Sequence, residues 1–232
     1  MCGRAYETYS EEELLLRYLG EKRKRKPLGD FKPNFNMCPT QLSPIVLVRD
    51  NERTIERVRW GLVPFWAADL KSASKYSLIN ARSEEIMEKR TYKQAFEKRR
   101  CIVPLSGFFE WKRPEDGPKQ PFVIRHKDQS IMSVAGVWER WEDKESDTEV
   151  HSFSILTTGP NALMKRIHNR MPVILEKKDE EKWLDPENHD TASLQKLLKA
   201  CPANSLEAFE VSPMVNSPKN NFPEILNAVA AD

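Results

Sequence analysis

The sequence predicts an α+β fold: a mostly antiparallel, partly closed, barrel-like β-sheet core flanked by short helices. Two observations lead to it. Six short apolar or alternating runs, at 45–48, 55–60, 101–109, 122–126, 131–138 and 153–157, are separated by Pro, Gly and Asp in the manner of strands and turns. These runs also lack the regular strand–helix alternation of a parallel sheet, because helix-forming stretches are few and short.

The first element in the chain reads as a helix. Residues 10–20 (SEEELLLRYLG) offer Ser10 as N-cap, acids in the first turn and Gly20 at the end. Residues 22–26 (KRKRK), ahead of Pro27, read as a solvated loop in preference to a phosphate contact. The strand runs come next, interrupted by helix-forming segments at 83–98 and 160–167, with a third at 192–200. No repeat, low-complexity tract or long linker appears. A chain of 232 residues suits one well-cored domain, taken as 1–232.

Composition narrows the function classes. A net charge of +2 excludes a uniformly basic nucleic-acid coat. Acids gather at 11–13, 139–149 and 179–181, while Arg4, Arg59, Arg82 and Arg170 lie beside chemistry-bearing motifs, so a locally positive groove is compatible with the near-neutral total. No segment approaches the roughly 18 apolar residues of a membrane span. The start, MCGRAYETYSEEE, has no apolar signal core, and position 2 is not the glycine of a myristoylation site. The expectation is a cytoplasmic protein without a membrane partner. The four cysteines have no C-x-x-C spacing, which argues against a zinc ribbon or a disulfide scaffold, so neither metal nor cofactor is expected. Cys38, Cys101 and Cys201 read as buried small hydrophobes, and Cys2 as the exception.

Removal of Met1 is what would make Cys2 exceptional. The new terminus is a 1,2-aminothiol, with a free amine and a thiol on neighbouring carbons. The amine forms an imine with an aldehyde, and the thiol then closes on the imine carbon to give a five-membered thiazolidine, favoured by its intramolecular character. Position alone does not establish that role, since a cysteine beside a start codon is usually an accident.

Four further segments pack polar, chemistry-bearing groups against aromatics or proline: 59–66 (RWGLVPFW), 79–84 (INARSE), 106–112 (SGFFEWK) and 167–172 (IHNRMP). With residues 1–4 (MCGR), in that order, they resemble the SRAP family, the SOS response-associated peptidase domain. The resemblance runs from Cys2 to about Pro223 and includes 36–39 (NMCP) and 211–220 (VSPMVNSPKN). One departure is Cys38, where the family has an apolar or small residue; no role is assigned to it.

The resemblance implies an abasic-site processing protein, associated with the nucleoid or replication fork. Cys2 would form a thiazolidine crosslink with the ring-opened abasic deoxyribose of single-stranded DNA. Asn80 matches an asparagine that orients the amine or the sugar hydroxyl without adding charge. Glu110, set among Phe108, Phe109 and Trp111, matches a glutamate that exchanges protons with the amine and helps reverse the crosslink. His168 matches a histidine suited to proton transfer during ring opening. Arg4, Arg82 and Arg170 match arginines that hold the flanking phosphates. Trp60, Pro64, Phe65 and Trp66 match an aromatic wedge on which bases stack, with Phe65 or Trp66 expected to be exposed.

Read singly, each residue has a plainer explanation. Glu110 is equally a strand-edge acid, His168 a loop cap, Asn80 a turn residue and the aromatic set a piece of core. Their joint occurrence with Cys2 favours chemistry. Three function classes remain open: an abasic-site crosslinker with lyase activity, an N-terminal nucleophile cysteine peptidase acting on its own leader, and a non-catalytic module for single-stranded or modified DNA. A monomer is expected.

Overall fold

A computed structural model of the chain describes residues 2–20, 27–76, 78–143 and 148–229. Met1 and the basic run at 22–26 lie outside the described residues. The elements are β1 (Ala5–Glu7), α1 (Glu11–Leu19), β2 (Asn34–Met37), β3 (Leu42–Arg49), β4 (Glu52–Trp60), α2 (Leu70–Ser74), β5 (Asn80–Arg82), α3 (Arg90–Lys98), β6 (Arg100–Leu105), β7 (Gly107–Lys112), β8 (Gln120–His126), β9 (Met132–Glu142), β10 (Glu149–Thr158), β11 (Met171–Pro172), α4 (Glu180–Leu184), α5 (Thr191–Gln195) and β12 (Leu206–Glu210).

Two sheets result. One has five strands in the order β12-β8-β7-β1-β2. The other runs β11-β10-β4-β3-β6-β9, and an additional β9–β10 pairing closes β10, β4, β3, β6 and β9 into a ring. The expected barrel-like core is therefore present, with its five strands closed on themselves. Pairing is antiparallel throughout except where β10 runs parallel to β4 and to β5.

Alternation along the strands explains where the core sits. Ile45, Leu47, Val58, Trp60, Val103 and Phe153 belong to one cluster, which also takes Ala5, Met37, Phe108 and Ile124 from the five-stranded sheet. The intervening residues Val46, Ile55, Ile102, Ala135 and Val137 join Leu14, Phe96 and Trp183 of α1, α3 and α4 in a second cluster. Both sides of the barrel wall are thus buried. Full burial of side chains such as these contributes about 1.5–3 kcal/mol each.

Helix α1 agrees with the sequence reading. Ser10 accepts the Glu13 N–H at 3.1 Å and Glu13 accepts the Ser10 N–H at 2.7 Å, a reciprocal cap that satisfies two terminal donors. Gly20 closes the helix at φ +73°.

Three expected elements differ. The run 101–109 is two strands in two sheets: β6 pairs with β9, whereas β7 pairs with β8 and β1. The crossing comes at Ser106, whose N–H donates to the Tyr6 carbonyl at 3.0 Å. At Gly107 a Cβ would meet Tyr6 Oη at 2.5 Å, so only glycine fits. The segment 83–98 is helical only from Arg90. Ahead of it lies a single 3-10 turn, Ser83–Glu85, because extended backbone at Lys89 starts α3 afresh. The segment 160–167 holds just one 3-10 turn, Met164–Arg166, tied down by Asn161, which accepts the Met164 N–H at 2.9 Å and donates to the Cys201 carbonyl at 3.0 Å. Among the described residues no helix is long and apolar enough to cross a membrane.

Candidate active site around Cys2

The end of β10 gathers the site. Thr157 has Arg82 of β5 opposite it on one side and Pro172 of β11 on the other. Asn80, the first residue of β5, sits beside Ile155, and His168 and Arg170 lie in the loop entering β11. The remaining residues come from the other sheet. Ala5 of β1 pairs with Phe108 of β7, and the Phe109 N–H donates to the Arg4 carbonyl at 2.9 Å. Two residues before Arg4, Cys2 lies close enough to Glu110 for the carboxylate to act on its thiol.

The four expected catalytic residues are brought together. Asn80 Nδ2 donates to the Cys2 carbonyl at 2.7 Å. Its Oδ1 is buried without a hydrogen-bond partner among the described residues. Tyr92 of α3 donates its hydroxyl to the Asn80 carbonyl at 3.2 Å, holding the start of β5 in place. His168 Nδ1 stands 3.9 Å from Glu110 Oε1 and accepts the Arg170 N–H at 3.1 Å, which in the neutral ring leaves the proton on Nε2. The Cys2 thiol is pushed up by burial and further by the neighbouring Glu110 carboxylate, so it is held as the neutral thiol.

The sequence sets Cys2 apart from the three cysteines expected to be buried. The fold does not: Cys2 is only 1% exposed, and all four thiols are buried. The cause is its place at the edge of the β1–β7 pair, where its side chain packs with the core shared by the two sheets.

Each arginine expected to hold phosphate has an internal partner. Arg4 Nη1 donates to Asn36 Oδ1 and to the Val215 carbonyl, both at 2.7 Å. Asn36 in turn donates to the carbonyls of Ser217 and Asn220, at 3.0 and 2.6 Å. The segments 36–39 and 211–220 thereby meet on the residue two positions after Cys2. Arg82 is exposed and pairs with Glu85 at 3.3 Å. Arg170 donates to both oxygens of Glu84, at 2.7 and 2.8 Å, and to the Thr157 carbonyl at 2.6 Å. Sequence reasoning misses Tyr92, Asn36 and Glu84 as site residues, although Glu84 and Asn36 lie inside quoted motifs. Tyr92 carries no local signal, since only the packing of α3 on β5 gives it a task.

The aromatic set divides. Phe65 and Trp66 are exposed, at 42% and 39%, as expected of at least one of them. Trp66 meets the exposed Tyr76 edge-on at 5.6 Å. Trp60 and Pro64 are buried, which corrects their expected role as stacking surfaces. Trp60 is the last residue of β4, stacks on Phe153 at 6.4 Å and donates its indole N–H to the Ile79 carbonyl at 3.0 Å. It anchors β5 from inside. Leu62 N–H donates to the Leu78 carbonyl at 3.0 Å, closing residues 61–79 into an excursion whose base adjoins Asn80 and whose surface carries Phe65 and Trp66. Among the described residues no three His, Cys, Asp or Glu side chains group as a metal ion would need.

Barrel and site together define a protein that holds a cysteine near its amino terminus beside an amide and a carboxylate, with an imidazole next to the carboxylate. The chain belongs to the SOS response associated peptidase (SRAP) family, whose model matches residues 1–218. It is 38% identical over 228 residues to the abasic site processing protein YoqW of Bacillus subtilis, covering 98% of this chain and 100% of YoqW. It is 30% identical over 227 residues to the abasic site processing protein HMCES of Xenopus tropicalis, covering 86% of this chain and 67% of HMCES. A crystal structure of a protein from Bacteroides thetaiotaomicron matches with a TM-score of 0.88 at 30% identity, covering 99% of this chain and 100% of that one.

Proposed function

We propose that this chain processes abasic sites in DNA, capturing the ring-opened sugar of a single-stranded lesion on Cys2 once Met1 has been removed. The observation that carries the reading is the convergence of Asn80, Glu110 and His168 on Cys2 from separate elements, with Asn80 Nδ2 only 2.7 Å from the Cys2 carbonyl. The names of the relatives point to the same substrate.

The chemistry balances without a cofactor. The Cys2 amine adds to the sugar aldehyde and water leaves, giving an imine; the thiol S–H then adds across C=N, with carbon taking sulfur and nitrogen taking the proton. Because burial keeps the thiol neutral, its proton has to leave as sulfur attacks, and Glu110 is the adjacent acceptor. His168, 3.9 Å from Glu110, moves a proton at the sugar oxygen as the ring opens, a role its nearness to that carboxylate supports. Asn80 orients the terminus from its carbonyl. The imine is also the branch point to a lyase outcome, in which loss of a proton next to it expels the 3′ phosphate. Arg4, Arg82 and Arg170 supply phosphate contacts, and Phe65 and Trp66 supply stacking.

The test uses protein with Met1 removed, incubated with abasic single-stranded DNA and run on a denaturing gel. A slow-migrating band that disappears in Cys2→Ala is expected. Binding without that band would reduce the chain to a non-covalent module. Cys2-dependent cleavage of an N-terminally extended form, without a DNA adduct, would favour the peptidase reading.

A further inference from the structure

The arginines that would face the DNA backbone are already occupied by acceptors of the protein itself. Arg170 is 15% exposed and held from the barrel side by Thr157, through its carbonyl at 2.6 Å and its hydroxyl at 3.2 Å. The outward side of its fork meets both oxygens of Glu84, at 2.7 and 2.8 Å. Two coplanar oxygens on one guanidinium are also what a phosphate presents. Glu84 itself is 52% exposed and sits on the 3-10 turn Ser83–Glu85, whose last residue, Glu85, pairs with Arg82 at 3.3 Å. Hydrogen bonding to Arg170 holds the Glu84 carboxyl below the usual carboxylate range, so it is an anion at neutral pH. A phosphate approaching Arg170 meets Glu84 first, because the Thr157 side is closed by the barrel.

We propose that Glu84 tunes the affinity for DNA: an internal anion that occupies Arg170 in the free protein and yields it to a phosphate of the bound strand. The inference rests on the reading of this chain as a DNA-processing protein. Every strand must displace Glu84; for an intact strand the phosphate contact to Arg170 is all that offsets the cost, whereas a lesion strand also gains the covalent bond to Cys2. The cost is common to both strands, so it lowers reversible affinity in general and leaves the covalent bond to retain the lesion strand. The Glu84 half of the pair is open to solvent and screened, so the cost to any strand is about two- to five-fold. Glu85 exerts the same effect on Arg82 more weakly, since its single contact is longer and the carboxylate is shared with Lys89 at 3.4 Å.

The experiment measures reversible binding of an undamaged single-stranded oligonucleotide, which has no aldehyde and forms no adduct, by fluorescence anisotropy at low salt. Glu84→Gln should bind about two- to five-fold tighter than the parent chain. The gain should vanish when Arg170→Lys is added. Glu88→Gln, an exposed acid a few residues away, should move affinity less. Unchanged or weaker binding by Glu84→Gln overturns the proposal, as does absence of measurable binding by both proteins. An equal gain in Glu88→Gln also overturns it, assigning the effect to general charge. Failure of the DNA reading itself would show separately, as no Cys2-dependent crosslink from the parent chain on abasic DNA.

Discussion

Arg100 and Arg170 are the same residue type in a largely buried setting, and the fold treats them in opposite ways. Arg100, 5% exposed at the start of β6, donates to the carbonyls of Trp183, Phe96, Glu97, Asp185 and Asn188. Arg100 has every part of its fork engaged by backbone that cannot leave. Arg170 is held by a carbonyl and a hydroxyl on one side and by an exposed, displaceable carboxylate on the other, and its Nε is buried without a hydrogen-bond partner among the described residues. Asn80 Oδ1 and Arg4 Nε are short of a partner in the same way. Arg100 is saturated, whereas polar groups at the candidate site are left one bond short. An unsatisfied buried polar atom costs about 1–3 kcal/mol, a cost that Arg57 Nε and Arg99 Nε, away from the site, also carry.

That contrast can be broken experimentally, and the largest effect belongs to the saturated arginine. Arg100→Ala removes the charge that joins α3, β6 and the segment after α4 and leaves five carbonyls to find new donors. Unfolding in urea should show a loss of about 3–5 kcal/mol, with crosslinking per folded molecule unaltered. A loss below about 1 kcal/mol would mean that saturation does not distinguish structural arginines.

Asn80→Ala should do the reverse. It removes the contact to Cys2 but no large apolar surface, so crosslinking in single turnover should slow about 10- to 100-fold while stability shifts by about 1 kcal/mol or less. A stability loss as large as that of Arg100→Ala would make Asn80 a structural residue.

Glu7 sharpens the comparison from the structural side. It is 2% exposed on β1 and accepts a hydrogen bond from the Ser43 hydroxyl, a neutral partner. Burial pushes its carboxyl up to about 8, against the opposing pull of Ser43 and Arg57. The folded chain therefore keeps a proton that the unfolded chain releases above about 4.5, and stability falls as pH rises between those values. The slope should approach about 1.4 kcal/mol per pH unit near pH 6 and flatten in Glu7→Gln. Equal slopes in the two proteins would show that Glu7 is ionised in the fold.

The smallest stability effect is expected at Trp66. Trp66→Ala removes an exposed ring, so stability should move by no more than about 0.5 kcal/mol. Affinity for single-stranded DNA should fall by about 1–3 kcal/mol, the usual contribution of one base stacked on an aromatic ring. Unchanged affinity would leave Phe65 and the arginines to carry the strand.

Much of this protein is written in local sequence. The capped helix at Ser10–Gly20 and the strand runs of the barrel announce themselves within short windows, because caps and alternation are local, whereas Asn80, Glu110 and His168 stand out only together with Cys2. What the tertiary structure alone decides is which face each residue meets. It splits 101–109 between two sheets at Ser106, sends Trp60 inward while Phe65 and Trp66 stay in solvent, and buries Cys2 beside Glu110. It also sets Glu84 on Arg170 across 86 residues of chain. Those outcomes depend on long-range pairing through β10 and on packing of the two sheets, and neither leaves a trace in the spacing of neighbours along the chain.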